Sequence, residues 1–294
     1  MLRVPLFLAT NLAILAVLWV SAQLLGIDQW LNQQGIPFAG LFVFAALFGF
    51  GGSFLSLAIS KWLAIKSTGA HVITEPKNRA EAWLVDTVHS LAKQANIGLP
   101  DVAIYRGSEI NAFATGMNRN NALVAVSDGL LQQMDQEEVE AVLAHEVAHI
   151  ANGDMVTMAL LQGVLNTFVI ALARIVGIIV DSALSRDGRS SGIGFYATYF
   201  IAEMVFGLLA SIVVMWFSRR REFRADAGSA NLVGPSKMIA ALQRLQQAYE
   251  PSSLPSQFAA FGINGAIKGG MAALFRSHPP LQSRIDYLRN SLGQ

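Results

Sequence analysis

Apolar residues run along this chain in four long blocks separated by stretches of mixed character. No charge interrupts residues 4–27, a 24-residue run that as a helix would extend roughly 36 Å, enough to cross a hydrocarbon core with some tilt. A cleavable signal peptide is the rival reading, since Arg3 precedes the run and "VSA" at residues 20–22 resembles a cleavage site; the apolar run continues past it, which favours a span. The second block lies in the uncharged stretch 29–60, apolar from 36 to 59, and its "FGFGGSF" suits close helix packing in lipid. Residues 155–180 are broken only by Arg174, and residues 192–217 only by Glu203. Each is long enough to span. The two charges either pair within a helical hairpin or snorkel to an interface, and a hairpin that does not cross at all is a third possibility.

Between the blocks the periodicity changes. "NRAEAWLVDTVHSLAKQANI" carries Trp83, Leu84, Val88, Leu91, Ala92 and Ala95 at helical spacing and closes at Gly98 and Pro100. "DVAIY", "INAFATG" and "ALVAVS" are short, β-favouring and separated by turn residues, so they predict a small sheet. Asp135 with Glu138 forms a capping-box pattern ahead of "DQEEVEAVLAHEVAHIAN", a helix ending at Gly153 with Asp154 free to cap the next. After Phe217, "REFRADAGSANL" and "SKMIAALQRLQQAYE" read as separate helices, and "PSSLPSQ" breaks the chain. The fold class expected is an α+β membrane protein. Its parts are two N-terminal transmembrane helices (1–66), a catalytic part (67–154), a hydrophobic hairpin (155–217) and a helical part (218–294).

Composition agrees: 53% hydrophobic against 14% charged residues points to a membrane protein, and a net charge of +1 gives no support to nucleic-acid binding. Arg3 precedes the first block, Lys61 and Lys66 follow the second, and "DQWLNQQG" between them has no Lys or Arg. The positive-inside rule then places both ends of that pair in the cytoplasm, and Arg219, Arg220 and Arg221 argue the same for the end of the hairpin. The chain has no cysteine and only five histidines, so any metal is held by nitrogen and oxygen.

The stretch "AHEVAHIANGD" places His145 and His149 one helical turn apart, able to aim ring nitrogens at one ion, with Glu146 rotated toward a water on that ion. Chance alone would produce this spacing in such a chain with a probability of roughly three in a thousand. Catalytic zinc usually takes three protein ligands, so a histidine or carboxylate must complete the set. Glu222 in "REFRAD" is the best placed, with Asp226 on the same face able to accept the other ring proton of a ligand histidine. A solvated charged helix end is the bland reading of that pair. Both ligand segments meet only if the hairpin between them crosses the membrane an even number of times or not at all. His71 and His89 read as structural, and no sequence-specific substrate pocket is legible.

The series "FGFGGSF", "NAFATG", "HEVAHIANGDMVTM", "MWFSRRREFRADAGSA" and "HPPLQSRI", in that order over essentially the whole chain, resembles the HtpX family of bacterial membrane zinc endopeptidases, relatives of the CAAX prenyl protease. The resemblance implies a mainly helical, zincin-like (gluzincin) catalytic domain with one Zn²⁺ per chain, His145, His149 and Glu222 as ligands, and Glu146 as general base. It implies a bacterial inner-membrane location with catalysis on the cytoplasmic side, and unfolded or misassembled membrane proteins as substrates in quality control and stress response. Asn111 in "NAFATG" would bind substrate backbone at a sheet edge, His278 in "SHPPLQSR" would hold the oxyanion, and Arg284 would support it at the substrate. A transporter using Arg174 and Glu203, or a noncatalytic scaffold with a structural zinc, stays open at this point.

Overall fold

A computed structural model describes residues 37–184, 193–249 and 277–292, together with residues 26–33 and a few positions before them. Most of the first expected span and the "PSSLPSQ" segment lie outside the described residues. The order of elements is α1 (Ile27–Gln33), α2 (Phe38–Thr68), β1 (His71–Val72), α3 (Arg79–Gln94), β2 (Asp101–Tyr105), β3 (Ala112–Asn118), β4 (Asn121–Ser127), α4 (Asp128–Gln133), α5 (Gln136–Asn152), α6 (Asp154–Leu184), α7 (Ile193–Val233), α8 (Pro235–Tyr249) and α9 (Leu281–Leu292). The chain divides into two compact units, residues 1–57 with 156–214, and residues 58–155 with 215–294. Three helices among the described residues, α2, α6 and α7, are long and apolar enough to cross a membrane.

In the first unit, α2 and α6 approach closely because glycines remove side chains from the crossing. A Cβ on Gly49 would stand 2.5 Å from Thr167 Oγ1, and one on Gly163 would stand 2.8 Å from the Phe50 ring. Thr167 Oγ1 donates to the Gly163 carbonyl and Ser53 Oγ to that of Gly49, so both hydroxyls are satisfied inside apolar surroundings. Phe44, Leu47 and Leu55 of α2, and Phe200, Leu208 and Leu209 of α7, are left exposed, as lipid-facing residues would be. Arg174 lies with its guanidinium carbon 4.5 Å from the centre of the Phe44 ring, which shelters its charge within this apolar unit.

The second unit is built on a four-stranded sheet in the order β1-β2-β4-β3, with β2 and β4 parallel and the other pairs antiparallel. Residues 122–127 of β4 are buried on both faces, which explains the unbroken apolar run "ALVAV". Val124 and Val126 face the main core with Leu84, Val88 and Leu91 of α3 and Val139, Leu143 and Val147 of α5, while Leu123 and Ala125 face the other side. β3 is an edge strand, paired only with β4 among the described residues. Asn78 caps α3, and the Asp135–Glu138 capping box starts α5 as the sequence predicts.

One boundary differs from expectation. α7 does not stop at the end of the apolar block but continues to Val233 through "SRRREFRAD", because no proline or glycine interrupts residues 208–227. Glu222 therefore sits well inside a 41-residue helix rather than at the start of a new one. β1 is only two residues long and is not legible as a strand in the sequence.

Candidate metal centre and substrate cavity

Four helices, α5, α6, α7 and α9, supply the polar cluster of the second unit. α5 presents His145 and His149 one turn apart, both buried. α7 presents Glu222 and Asp226, likewise one turn apart and 0% exposed. Ser229 of α7 ties the two helices together by donating its hydroxyl to the Ala141 carbonyl at 2.8 Å. α9 brings Arg284, and the turn before it brings His278.

Each imidazole has its own carboxylate. Nδ1 of His145 is 2.9 Å from Asp226 Oδ1, and Nδ1 of His149 is 2.6 Å from Asp154 Oδ2. A carboxylate only accepts, so the ring proton is assigned to Nδ1 in both and the Nε2 lone pairs point elsewhere. They point at each other: the two Nε2 atoms are 3.1 Å apart, with Glu222 oxygens 3.5 Å from His145 and 3.4 Å from His149. Glu222 Oε1 is buried, and beyond this approach to His149 it has no hydrogen-bond partner among the described residues.

Two lone pairs and an anionic oxygen facing one point call for a cation between them. A proton is one such cation: burial opposes charge on His149, but hydrogen bonds to Asp154 and Glu222 outweigh it and raise the ring from its ordinary value to about 9. A metal ion is the other. The ligand atoms of His145, His149 and Glu222 lie within 4.8 Å of one another, and two imidazoles with one carboxylate and no thiolate form a donor set that fits one zinc ion. Three protein ligands leave a coordination position open, which suits catalysis and not a closed structural site.

Arg284 is buried and forms a two-pronged pair with Asp226, Nε to Oδ2 at 2.8 Å and Nη2 to Oδ1 at 2.6 Å. Its Nη1 lies 3.6 Å from Glu222 Oε2. Burial works against the guanidinium charge, yet the bond to Asp226 holds it above the usual arginine value. The guanidinium is thus engaged by two buried carboxylates, and the same side chain is among those lining the neighbouring cavity. His278 is mostly exposed and its Nδ1 is 2.8 Å from Glu222 Oε2. Asn111 stands at the head of β3, where its N–H donates to Ser127 Oγ and its carbonyl accepts from the Ser127 N–H.

Beside this cluster opens a cavity of about 290 Å³. Asn111, His145, Glu146, Glu222, His278 and Arg284 all line it, so the residues singled out in the sequence for substrate and catalysis meet at one cavity. The rest of the lining is mainly apolar, with Ile110, Leu130, Val142, Met238, Leu245 and Leu281. The sequence gives no sign of this pocket, because its lining comes from six separate segments. Asp154, which the sequence marks only as a helix cap, is a partner of His149. His89 is structural as expected, with Nε2 3.1 Å from the Pro100 carbonyl.

The model for peptidase family M48 matches residues 78–292. The chain belongs to peptidase family M48. It is 59% identical over 293 residues to a protease HtpX homolog of Nitrosomonas europaea, covering 99% of this chain and all of that protein. It is 61% identical over 293 residues to protease HtpX of Xanthomonas campestris pv. campestris (strain B100), covering 99% of this chain and 98% of the relative. Among solved structures, Ste24p of S. mikatae matches with a TM-score of 0.59 and 18% identity over 92% of this chain and 66% of that one, a likeness of fold. With its long apolar helices and its zinc-fitting cluster, this M48 chain is a membrane metalloprotease.

Proposed function

We propose that the chain is an endopeptidase acting on exposed or unfolded segments of membrane proteins, from the cytoplasmic side of a bacterial inner membrane. The observation that carries this reading is the convergence of His145 Nε2, His149 Nε2 and Glu222 beside a largely apolar cavity that Glu146 also lines. His145, His149 and Glu222 would hold one zinc ion, which when bound polarises the scissile carbonyl and makes a coordinated water more acidic. Glu146 accepts the proton of the attacking water and passes it to the leaving amine, so the carboxylate ends as it began. Asn111 binds substrate backbone at the head of edge strand β3, along which an extended segment can add as another strand. His278 turns Nδ1 to Glu222, so donation to the oxyanion through Nε2 requires the protonated ring. Arg284 acts one step back, holding Asp226, which in turn holds His145.

The apolar lining supports a preference for a bulky apolar side chain next to the scissile bond. Membrane proteins offer such residues where they emerge from lipid. Along α7, Glu222 follows the last apolar residue of the block, Phe217, by roughly 8 Å of helix rise, which keeps the site near the bilayer surface. Lys61, Lys66 and the arginines 219–221 support the cytoplasmic orientation.

Zinc-loaded protein in detergent, incubated with an unfolded model protein, tests the reading. Cleavage is expected from the wild type and a loss of about 10²–10⁴-fold from Glu146→Gln at full zinc content. Equal turnover by both proteins would sink the assignment of Glu146. Orientation is read separately by single cysteines, since the chain has none of its own. Ser67→Cys should label only after the cytoplasmic face is opened; labelling in intact spheroplasts would reverse the topology.

A further inference from the structure

Asp154 is 1% exposed and has no part in the chemistry assigned so far. Its Oδ2 lies 2.6 Å from Nδ1 of His149, five residues earlier. On an uninterrupted helix, residues five apart point about 140° away from each other, so these two side chains would not meet. Gly153 changes that. It ends α5 in the left-handed conformation, with φ 71° and its N–H directed back at the His149 and Ile150 carbonyls, and α6 begins at once with Asp154. The turn brings the carboxylate back onto the face that carries His149.

We infer that Asp154 is a positioning residue for the metal centre: its carboxylate accepts the Nδ1 proton of His149 and fixes the ring rotation in which Nε2 faces His145 and Glu222. The inference rests on the zinc reading of that cluster. The second oxygen of Asp154 gives independent support. Among the described residues Oδ1 is buried without a hydrogen-bond partner, and the cation nearest it there is the Arg224 Nη2 at 3.6 Å, on a side chain half exposed to solvent. A buried carboxylate so weakly paired on one oxygen is tolerable when its other oxygen accepts an N–H polarised by a cation, as that of a metal-bound imidazole is. Each candidate ligand histidine thus has a carboxylate behind it: Asp154 for His149, from the residues preceding the hydrophobic hairpin, and Asp226 for His145, from the residues following it.

The test is the zinc dissociation constant of full-length protein in detergent, measured by competition with a chromophoric chelator, for wild type, Asp154→Asn, Asp154→Ala and His149→Ala. Thermal unfolding of each metal-free protein is recorded alongside. Zinc should bind about 10–100-fold more weakly to Asp154→Ala, and less weakly than that to Asp154→Asn, whose amide oxygen still accepts from Nδ1. His149→Ala should lose tight binding altogether. Lower thermal stability of both Asp154 variants with unchanged zinc affinity would overturn the inference and leave Asp154 a structural cap. Unchanged affinity in His149→Ala would overturn the zinc reading itself, a separate failure. Should the alanine variant not fold, the near-isosteric asparagine variant carries the comparison.

Discussion

A side-chain carbon placed on Gly228 would stand 2.6 Å from the Cβ of Ala148. This near-contact sets how closely α7 can lie on α5, and it comes six residues after Glu222 and one before His149. A methyl group cannot yield as a long side chain would, so Gly228→Ala should separate the helices. The expected cost is about 1–3 kcal/mol of stability, with weaker zinc binding because Glu222 moves with its helix. Adding Ala148→Gly should recover the zinc affinity, less the helix penalty of the new glycine. Full affinity in the single variant would show that the spacing is slack.

Arg284 is the sole described cation paired with Asp226 in the two-pronged manner, and both groups are buried. Replacing it by methionine leaves a buried carboxylate without its partner, and a loss of about 3–5 kcal/mol is expected in chemical unfolding. Lysine supplies charge without the fork and should restore only part. A change below about 0.5 kcal/mol in the methionine variant would mean that solvent reaches Asp226 after all.

The apolar cavity makes a claim about substrates. Val142 lines it one helical turn before Glu146. Val142→Phe should fill the space and reduce kcat/KM for peptides with a leucine or phenylalanine beside the scissile bond by about 10-fold or more relative to alanine peptides. An equal loss on all peptides would assign the cavity a structural role only.

Zinc binding should weaken as pH falls. In the metal-free site His149 keeps a proton up to about pH 9, so across the neutral range zinc must displace it. The apparent dissociation constant should rise about tenfold per pH unit below 9 and level off above. A chelator should abolish cleavage, and zinc should restore it faster at pH 8.5 than at pH 6.5. A flat profile would show that His149 binds metal without losing a proton.

What the sequence reveals and conceals follows from distance along the chain. His145, Glu146 and His149 are legible because one helix fixes their geometry, and so are Glu222 and Asp226, one turn apart on another. The expected α+β class and the three longer strands, β2, β3 and β4, follow from short β-favouring runs and turn residues. Asp154 is hidden because its approach to His149 depends on a left-handed glycine, and a spacing of five signals nothing on a helix. Gly228 is hidden because its partner lies 80 positions away. The boundary of α7 was misplaced by composition: the residues change from apolar to charged at 217–219, while the backbone, lacking any breaker, does not. The cavity wall joins segments from Ile110 to Leu281, and no local pattern encodes such a meeting.

The catalytic unit is discontinuous, with residues 58–155 and 215–294 separated by the hydrophobic hairpin. The order of synthesis then sets the order of assembly. A nascent chain that has emerged through Asp154 possesses His145, Glu146 and His149 but no Glu222, no Asp226 and no Arg284, and its α5 lacks the covering helices α7, α8 and α9. The cluster of His145, His149 and Glu222 is therefore completed only after both hairpin helices have been made.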